Sequence, residues 1–384
     1  MPGIICIRCL TAAFFALVSS AALAQIDGAG GERLQIQLRI PEGKAAFKGA
    51  DPVTIDFILT NPTSEKVQVL AWRTPFAREG VTENIFDVAA GRTGAAAGSG
   101  RSQIGYIGPL IKRRPPGPDD FITLAPGESR TTSVNLADYY AIYQQGDYSV
   151  TYRAAPAHLP PIAGDATPSA AGPLRKIAAP SNAVTFSVTE ARTPAPKFAG
   201  PTLAAGSGPS FDQCTATQQS DLQLAVPEAQ KIAAAALQIL KSTPPVQKPN
   251  AARYKTWFGA HSPARYATVT NHYEQIEGAY RTKQIEIACK GSRCSDNIYA
   301  YVFPTQPYKI YVCGAFWASN LSGTDSRSGT LVHEMSHFDI VAGTDDVVYG
   351  QPGAMQLAIR DEDTAITNAD THEYFAENQP DLPM

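Results

Sequence analysis

The chain has 384 residues, of which 44% are hydrophobic and 17% charged, and its formal net charge is −3. This composition excludes collagen-like and wholesale disordered chains, and the acidic balance argues against a general nucleic-acid binder. The charge is uneven: residues 1–204 carry 19 Lys+Arg against 16 Asp+Glu, whereas residues 205–384 carry 13 against 19. The acidic second half either reflects ordinary scatter or handles basic ligands.

The chain opens with Arg8, an apolar run from Leu10 to Leu23, and Ala22-Leu23-Ala24, which fits the small-x-small rule for cleavage before Gln25. Residues 1–24 are therefore expected to be an export signal. The run is shorter than the roughly 20 apolar residues of a membrane span, so the expected product is secreted, with no membrane anchor.

From 33 to 190 the pattern is strand-like. Leu34, Ile36, Leu38 and Ile40 alternate, and Val53, Ile55, Phe57 and Leu59 repeat the pattern before Asn61-Pro62. Further strands are expected at 66–72, 84–88, 103–107, 131–136, 146–153 and 183–189, with turns at Pro126-Gly127 and Gly146-Asp147. Many short strands at this spacing predict an antiparallel β-sandwich of immunoglobulin-like type over residues 25–190. Nothing in this half reads as a reaction centre; its one histidine, His158, lies in a Pro/Ala-rich loop. Residues 191–210 read as a linker.

After 211 the pattern becomes α+β. Ala229–Leu240 is a nearly pure helix-former run, with Pro227 expected early in the same helix, and further helices are expected over 329–342 and near 355–366. Short strands are expected at 285–288, 298–303 and 310–313. The mature chain keeps four cysteines, Cys214, Cys289, Cys294 and Cys313. In an exported protein an even number suggests two disulfides, in any of three pairings; a four-thiolate metal site lacks the usual CxxC pairs.

Residues 333–337 read His-Glu-Met-Ser-His. On a helix, positions i and i+4 share a face, so His333 and His337 can point at one ion, and Glu334 can reach a water on it. Zinc accepts imidazole nitrogen, polarises a carbonyl and acidifies its water. A third ligand must follow. A metzincin pattern fails because Ile340 and Gly343 stand where Gly and His are required. Glu362 or Glu373 would serve a thermolysin-like arrangement. The next segment, however, is Gly343-Thr344-Asp345-Asp346-Val347-Val348-Tyr349-Gly350, with Asp346 nine residues beyond His337.

This HExxH followed by GTxDxxYG resembles the deuterolysin and peptidyl-Lys metalloendopeptidase family, the aspzincins, over roughly residues 210–384. The resemblance implies a zincin-type metalloprotease domain with one zinc per chain, held by His333, His337 and Asp346, in preference to the neighbouring Asp345. It implies Glu334 as general base toward a zinc-activated water and Tyr349 as a hydrogen-bond donor to the transition state. It also implies the pairs Cys214–Cys289 and Cys294–Cys313. Asn368 to Asn378 looks like the segment that forms the pocket after the cut in the Lys-specific members, so Asp370 and Glu373 are implied to bind a lysine ammonium. Their i, i+3 spacing puts both on one helical face; the plain alternative is a solvated acidic helix start.

The expected protein is thus multidomain: a signal, a β-sandwich acting as propiece, a linker, and a metalloprotease domain at 211–384. Its expected partners are lysine-containing peptide or protein substrates, and it is expected to be a monomer. A broad-specificity deuterolysin-like protease and a non-catalytic surface-binding protein are the alternatives. The propiece is expected to assist folding or block the cleft, with cuts before Lys176 or Lys197. His261 and His272 are expected near the surface, and His372 at the surface or supporting. Tyr254, Trp257 and Phe258 are expected in the core or a cleft wall. Thr324-Asp325-Ser326 suits either a helix N-cap or support of a ligand imidazole.

Overall fold

The computed structural model describes residues 34–41, 45–91, 102–153, 156–157, 175–176, 181–193 and 208–384. The expected signal and Pro196-Lys197 lie outside these residues. The N-terminal region forms β1 (Gln35–Arg39), β2 (Ala46–Phe47), β3 (Thr54–Thr60), β4 (Val67–Leu70), β5 (Phe86–Ala90), β6 (Ser102–Gln103) and β7 (Leu110–Arg113). It continues with β8 (Phe121–Leu124), β9 (Ser129–Asn135), β10 (Gly146–Tyr152), β11 (Pro156–Ala157), β12 (Arg175–Lys176) and β13 (Val184–Val188). Alternation sets the faces: Ile36 and Leu38 are buried, while Gln35, Gln37 and Arg39 are exposed. One sheet runs β1-β3-β9 and another β2-β13-β10-β5-β6. Leu38, Phe57, Val88, Val150 and Phe186 from both sheets share one apolar core.

Two expectations change here. The 103–107 strand shrinks to Ser102–Gln103, after which the Tyr106 hydroxyl donates to the Pro109 carbonyl and turns the chain. Strand β7 was not expected. Its two cations hide it, yet all four of its residues are buried. It leaves the β region to become the edge of the second region's sheet.

That second region comprises β14 (Ser210–Asp212), α1 (Ala216–Ser242), α2 (Ala252–Phe258), α3 (Pro263–Thr282), β15 (Glu286–Ala288), β16 (Ile298–Val302) and β17 (Lys309–Val312). It ends with α4 (Gly314–Ala318), α5 (Arg327–His337), α6 (Gly350–Arg360), α7 (Glu362–Ala365) and α8 (Ala369–Glu377). The sheet order is β14-β15-β17-β16-β7, parallel through β17 and antiparallel beyond. Helix α1 begins at Ala216, well ahead of the start expected near Pro227, because Thr215 and Gln218 form a capping box. Pro227 therefore sits inside it. The apolar stripe Leu222, Ala225, Ala229, Ala233, Ala236 and Leu240, fully buried, outweighs the ~3 kcal/mol an interior proline costs.

Helix α5 stops at His337, short of the expected 342. Phe338 turns extended (φ −61°, ψ 129°), and Gly343 adopts φ 58°, a left-handed value that suits glycine. The expected helix at 355–366 is split at Asp361, whose carboxylate caps the Thr364 amide at 3.0 Å. Disulfides join Cys214 to Cys289 and Cys294 to Cys313, the pairing the resemblance implies. They tie the entry to α1 to the end of β15, and the loop before β16 to the end of β17. Among the described residues, no helix is long and apolar enough to cross a membrane.

Candidate active site

Helix α5 is buried along its whole length from Ser328 to His337. Ser326 caps it, accepting from the Gly329 amide at 2.9 Å. Glu377 of α8 accepts from the Ser326 amide and hydroxyl at 2.9 and 2.7 Å, and lies so close that a Cβ on Gly329 would collide with it. These contacts fix the helix that carries His333, Glu334 and His337.

The loop after α5 is pinned in turn. Asn368 accepts from the Val347 and Val348 amides at 2.9 and 3.0 Å, and Asp370 accepts from the Gly350 amide at 2.6 Å. Asp346 is thereby brought to both imidazoles. Its Oδ1 lies 3.0 Å from His333 Nε2 and 3.4 Å from His337 Nε2. These approaches lack hydrogen-bond geometry, and both Nε2 atoms and both Asp346 oxygens are buried without a hydrogen-bond partner. Burying such atoms unsatisfied costs several kcal/mol in total, on the order of 1–3 each. Two imidazole nitrogens and a carboxylate converging in this way form a donor set suited to zinc.

The far side of each ring supports this orientation. His337 Nδ1 donates to the Thr344 carbonyl at 2.7 Å, which leaves Nε2 with its lone pair facing Asp346. His333 Nδ1 faces Asp370 at 2.9 Å and Glu373 at 3.3 Å. Burial works against the Asp346 anion, but positive charge on the His337 and His333 imidazoles outweighs it whenever they are protonated, and then holds the carboxyl well below its usual range. Glu334 is fully buried, and neither of its oxygens has a partner. Burial pushes its carboxyl up to about 7, against the pull of His333 and His337.

Asp370 and Glu373 project from α8 toward His333, so they are no solvated helix start: both are at most 1% exposed. Between them lies a cation from the other region. Lys112 of β7 places its ammonium 2.6 Å from Glu373, 3.1 Å from Asp325 and 3.6 Å from Asp370. The rings of Tyr299 and Tyr374 flank it at 5.0 and 5.8 Å. Burial disfavours its charge, but the Asp370, Glu373 and Asp325 carboxylates more than compensate and raise its pKa. Asp325 takes a left-handed backbone (φ 50°) and accepts from the Tyr374 hydroxyl at 2.9 Å.

Tyr349 also meets the β region. Its hydroxyl lies 2.9 Å from the Ile111 carbonyl and 3.1 Å from a Glu83 oxygen. Glu83 pairs with Arg73 at 2.8 Å, and Arg73 also donates to the Val347 carbonyl. Burial pushes the Glu83 carboxyl up to about 7, against Arg73. The β half, expected to carry no reaction centre of its own, nevertheless brings Lys112, Glu83 and Arg73 against Glu373, Tyr349 and Val347. Asp325 was expected only as part of a cap or an imidazole support, and Ser326 does the capping. The one available signal for Lys112 was a lysine directly after the apolar pair Leu110-Ile111.

Of the remaining histidines His272 departs from the expected surface position, His372 takes the supporting role, His261 is half-buried, and His158 lies outside the described residues. His272 is buried and His372 fully so. His372 Nδ1 donates to the Asn368 carbonyl at 2.9 Å, so its Nε2 accepts from His272 Nδ1 at 3.0 Å. The pair locks α3 to α8. Tyr254, Trp257 and Phe258 are core residues.

The chain is similar to known proteins. The family profile described as lysine-specific metallo-endopeptidase, the aspzincins, matches residues 245–377. A protein named extracellular protease from Aeromonas hydrophila is 37% identical over 95% of this chain and 97% of its own. A peptidyl-Lys metalloendopeptidase from Pleurotus ostreatus is 44% identical over 45% of this chain and 99% of its own. The solved zinc peptidase from Grifola frondosa is 39% identical, covering 44% of this chain and 99% of its own, with a TM-score of 0.40. The chain belongs to the aspzincin metalloendopeptidases, with the protease domain at its C-terminal end and a β-rich region of several sheets before it.

Proposed function

We propose that the chain is a secreted endopeptidase, acting as a monomer, that hydrolyses peptide bonds on the amino side of lysine in protein or peptide substrates. The observation that carries this reading is an acidic pocket, already holding a lysine ammonium, set against the His333–His337–Asp346 group. Zinc bound by those three side chains supplies Lewis acidity and an activated water.

The chain's own groups do the rest. Glu334, with two free oxygens beside the ligand imidazoles, takes the proton of the attacking water and delivers it to the leaving amine. Tyr349 donates its hydroxyl hydrogen to the oxygen that gains charge. Asp370 and Glu373 hold the ammonium of the residue after the cut, and through His333 Nδ1 they also orient a ligand imidazole. We read the N-terminal strands as an immunoglobulin-like sandwich serving as propiece, residues 191–210 as the linker and residues 1–24 as the export signal.

Mass spectrometry of the cuts made in a mixed peptide library tests the reading. Cuts concentrated before lysine are expected. Cuts without regard to lysine would leave a broad-specificity protease.

A further inference from the structure

We propose that strand β7 occupies the substrate's place in the cleft, with Lys112 as a built-in substrate lysine, and that Asp325 joins Asp370 and Glu373 in gripping that side chain. The proposal rests on the lysine-directed reading above and extends it in two directions: the intact chain is closed to other substrates, and the lysine pocket has a third carboxylate.

The backbone comes first. β7 pairs antiparallel with β16, matching Leu110 to Val302, Ile111 to Tyr301, and Lys112 to Ala300. Without β7, strand β16 would be the sheet's open edge, the arrangement by which an extended peptide adds to a sheet. The side chain comes second. Lys112 is 1% exposed, and its ammonium meets the carboxylates that touch a ligand imidazole. A lysine that merely joined two domains would have no reason to end one carboxylate away from His333. The reacting bond comes third. An enzyme cutting before lysine attacks the carbonyl of the preceding residue; here that carbonyl belongs to Ile111 and lies 2.9 Å from the Tyr349 hydroxyl. Three features of a bound substrate (strand pairing, side-chain pocket and carbonyl contact) thus coincide in one tetrapeptide.

The β region also holds the strand from behind. Arg113 reaches Glu79 at 3.6 Å and Thr82 at 3.3 Å, and Arg73 pairs with Glu83. A tethered strand competes at a very high effective concentration, so an incoming peptide finds the edge, the pocket and Tyr349 already taken. The ammonium then marks the pocket's full ligand set. Asp325 is closer to it than Asp370 is, at 3.1 against 3.6 Å, and the Tyr374 hydroxyl and the Glu377 contact to its backbone amide (3.2 Å) hold Asp325 in its left-handed conformation.

The test uses the zinc-loaded full-length chain carrying Glu334→Gln, with intact mass confirming that nothing has been cut. The probe is a fluorescein-labelled heptapeptide with a single central lysine, and the readout is anisotropy. The parent is expected to bind it weakly. Lys112→Met, which keeps the stem, and Lys112→Gln, which keeps a polar tip, are each expected to bind it at least tenfold more tightly. Adding Asp325→Asn to Lys112→Met is expected to lose at least tenfold of that gain, with zinc content and melting temperature unchanged. Folded Lys112 variants that bind no better than the parent would overturn the closed cleft, and an Asp325→Asn variant that binds equally well would overturn the third carboxylate. If the lysine-directed reading itself is wrong, the opened variants will bind a norleucine peptide as tightly as the lysine one, a result separable from both.

Discussion

The two regions bury charge on different terms. In the β region the interior is aromatic and aliphatic, with Phe57, Phe86 and Tyr152 packed edge to face or tilted, and Asp56 is neutralised by Arg39, whose side chain is 58% exposed. In the protease region six ionisable groups, His333, Glu334, His337, Asp346, Asp370 and Glu373, lie together at the centre, none more than 3% exposed. Burying charge is costly unless it is paired or bound to a metal. A protein keeps such a cluster only for what it does. The same rule explains the β region's other buried charges: Arg73, Glu83 and Lys112 each bond to a group of the protease region, and Arg113 ties β7 back to Glu79 and Thr82.

This contrast can be sharpened experimentally. Once the β region has been cleaved away, the largest effect is expected from Glu334→Ala, which should lower kcat by about 10³-fold or more, as loss of a general base does, while zinc content stays at the wild-type level. Wild-type turnover in that variant would remove Glu334 from the mechanism. Next come the pocket carboxylates: in the same cleaved enzyme, where Lys112 no longer fills the pocket, Glu373→Gln should lower kcat/KM for lysine peptides by about 10–100-fold, the scale of a charge-assisted contact, and narrow the preference for lysine over norleucine. An unchanged ratio would assign Glu373 to His333 alone.

Two smaller effects concern what holds the protease region together. Replacing Cys214 and Cys289 by serine should cost about 2–5 kcal/mol, seen as a lower midpoint in denaturant. The β region has no disulfide among its described residues, so its own transition, where separable, should not move.

The last concerns acid. Burial depresses His272 to about 4, and burial with the neighbouring His272 depresses His372 to about 3. The unfolded histidines bind protons near pH 6.5 and the folded ones do not, so stability falls as pH drops below about 6.5 and keeps falling until about 3, where His372 takes up its proton in the folded state. Melting temperatures across that window should show the slope, and His272→Gln should flatten part of it. The same slope in that variant would place the acid sensitivity elsewhere.

How much of this was legible in the sequence depended on how local the signal was. The HExxH helix and the GTxDxxYG loop are read from adjacent residues, and helical periodicity alone puts both imidazoles on one face. Strand alternation in β1 and β3 was equally plain. Helix ends were less so, because capping by Thr215 and the break at Asp361 depend on side-chain contacts that periodicity does not report. Lys112 was invisible. Its meaning comes from Glu373, Asp325 and Asp370, which lie more than 200 residues away in the chain, and a lysine that opens the run Lys112-Arg113-Arg114 carries no sign of its partner. The His272–His372 pair was missed for the same reason, being 100 residues apart.

The central claim is that His333, His337 and Asp346 grip one zinc ion. Metal analysis with zinc-edge X-ray absorption on the purified full chain and on Asp346→Ala tests it most directly. One zinc per chain, bound by two imidazoles and oxygen donors and largely lost in Asp346→Ala, is the predicted result. A chain purified with zinc present that carries no stoichiometric metal, or an Asp346→Ala variant that binds zinc with unchanged affinity and coordination, would contradict it.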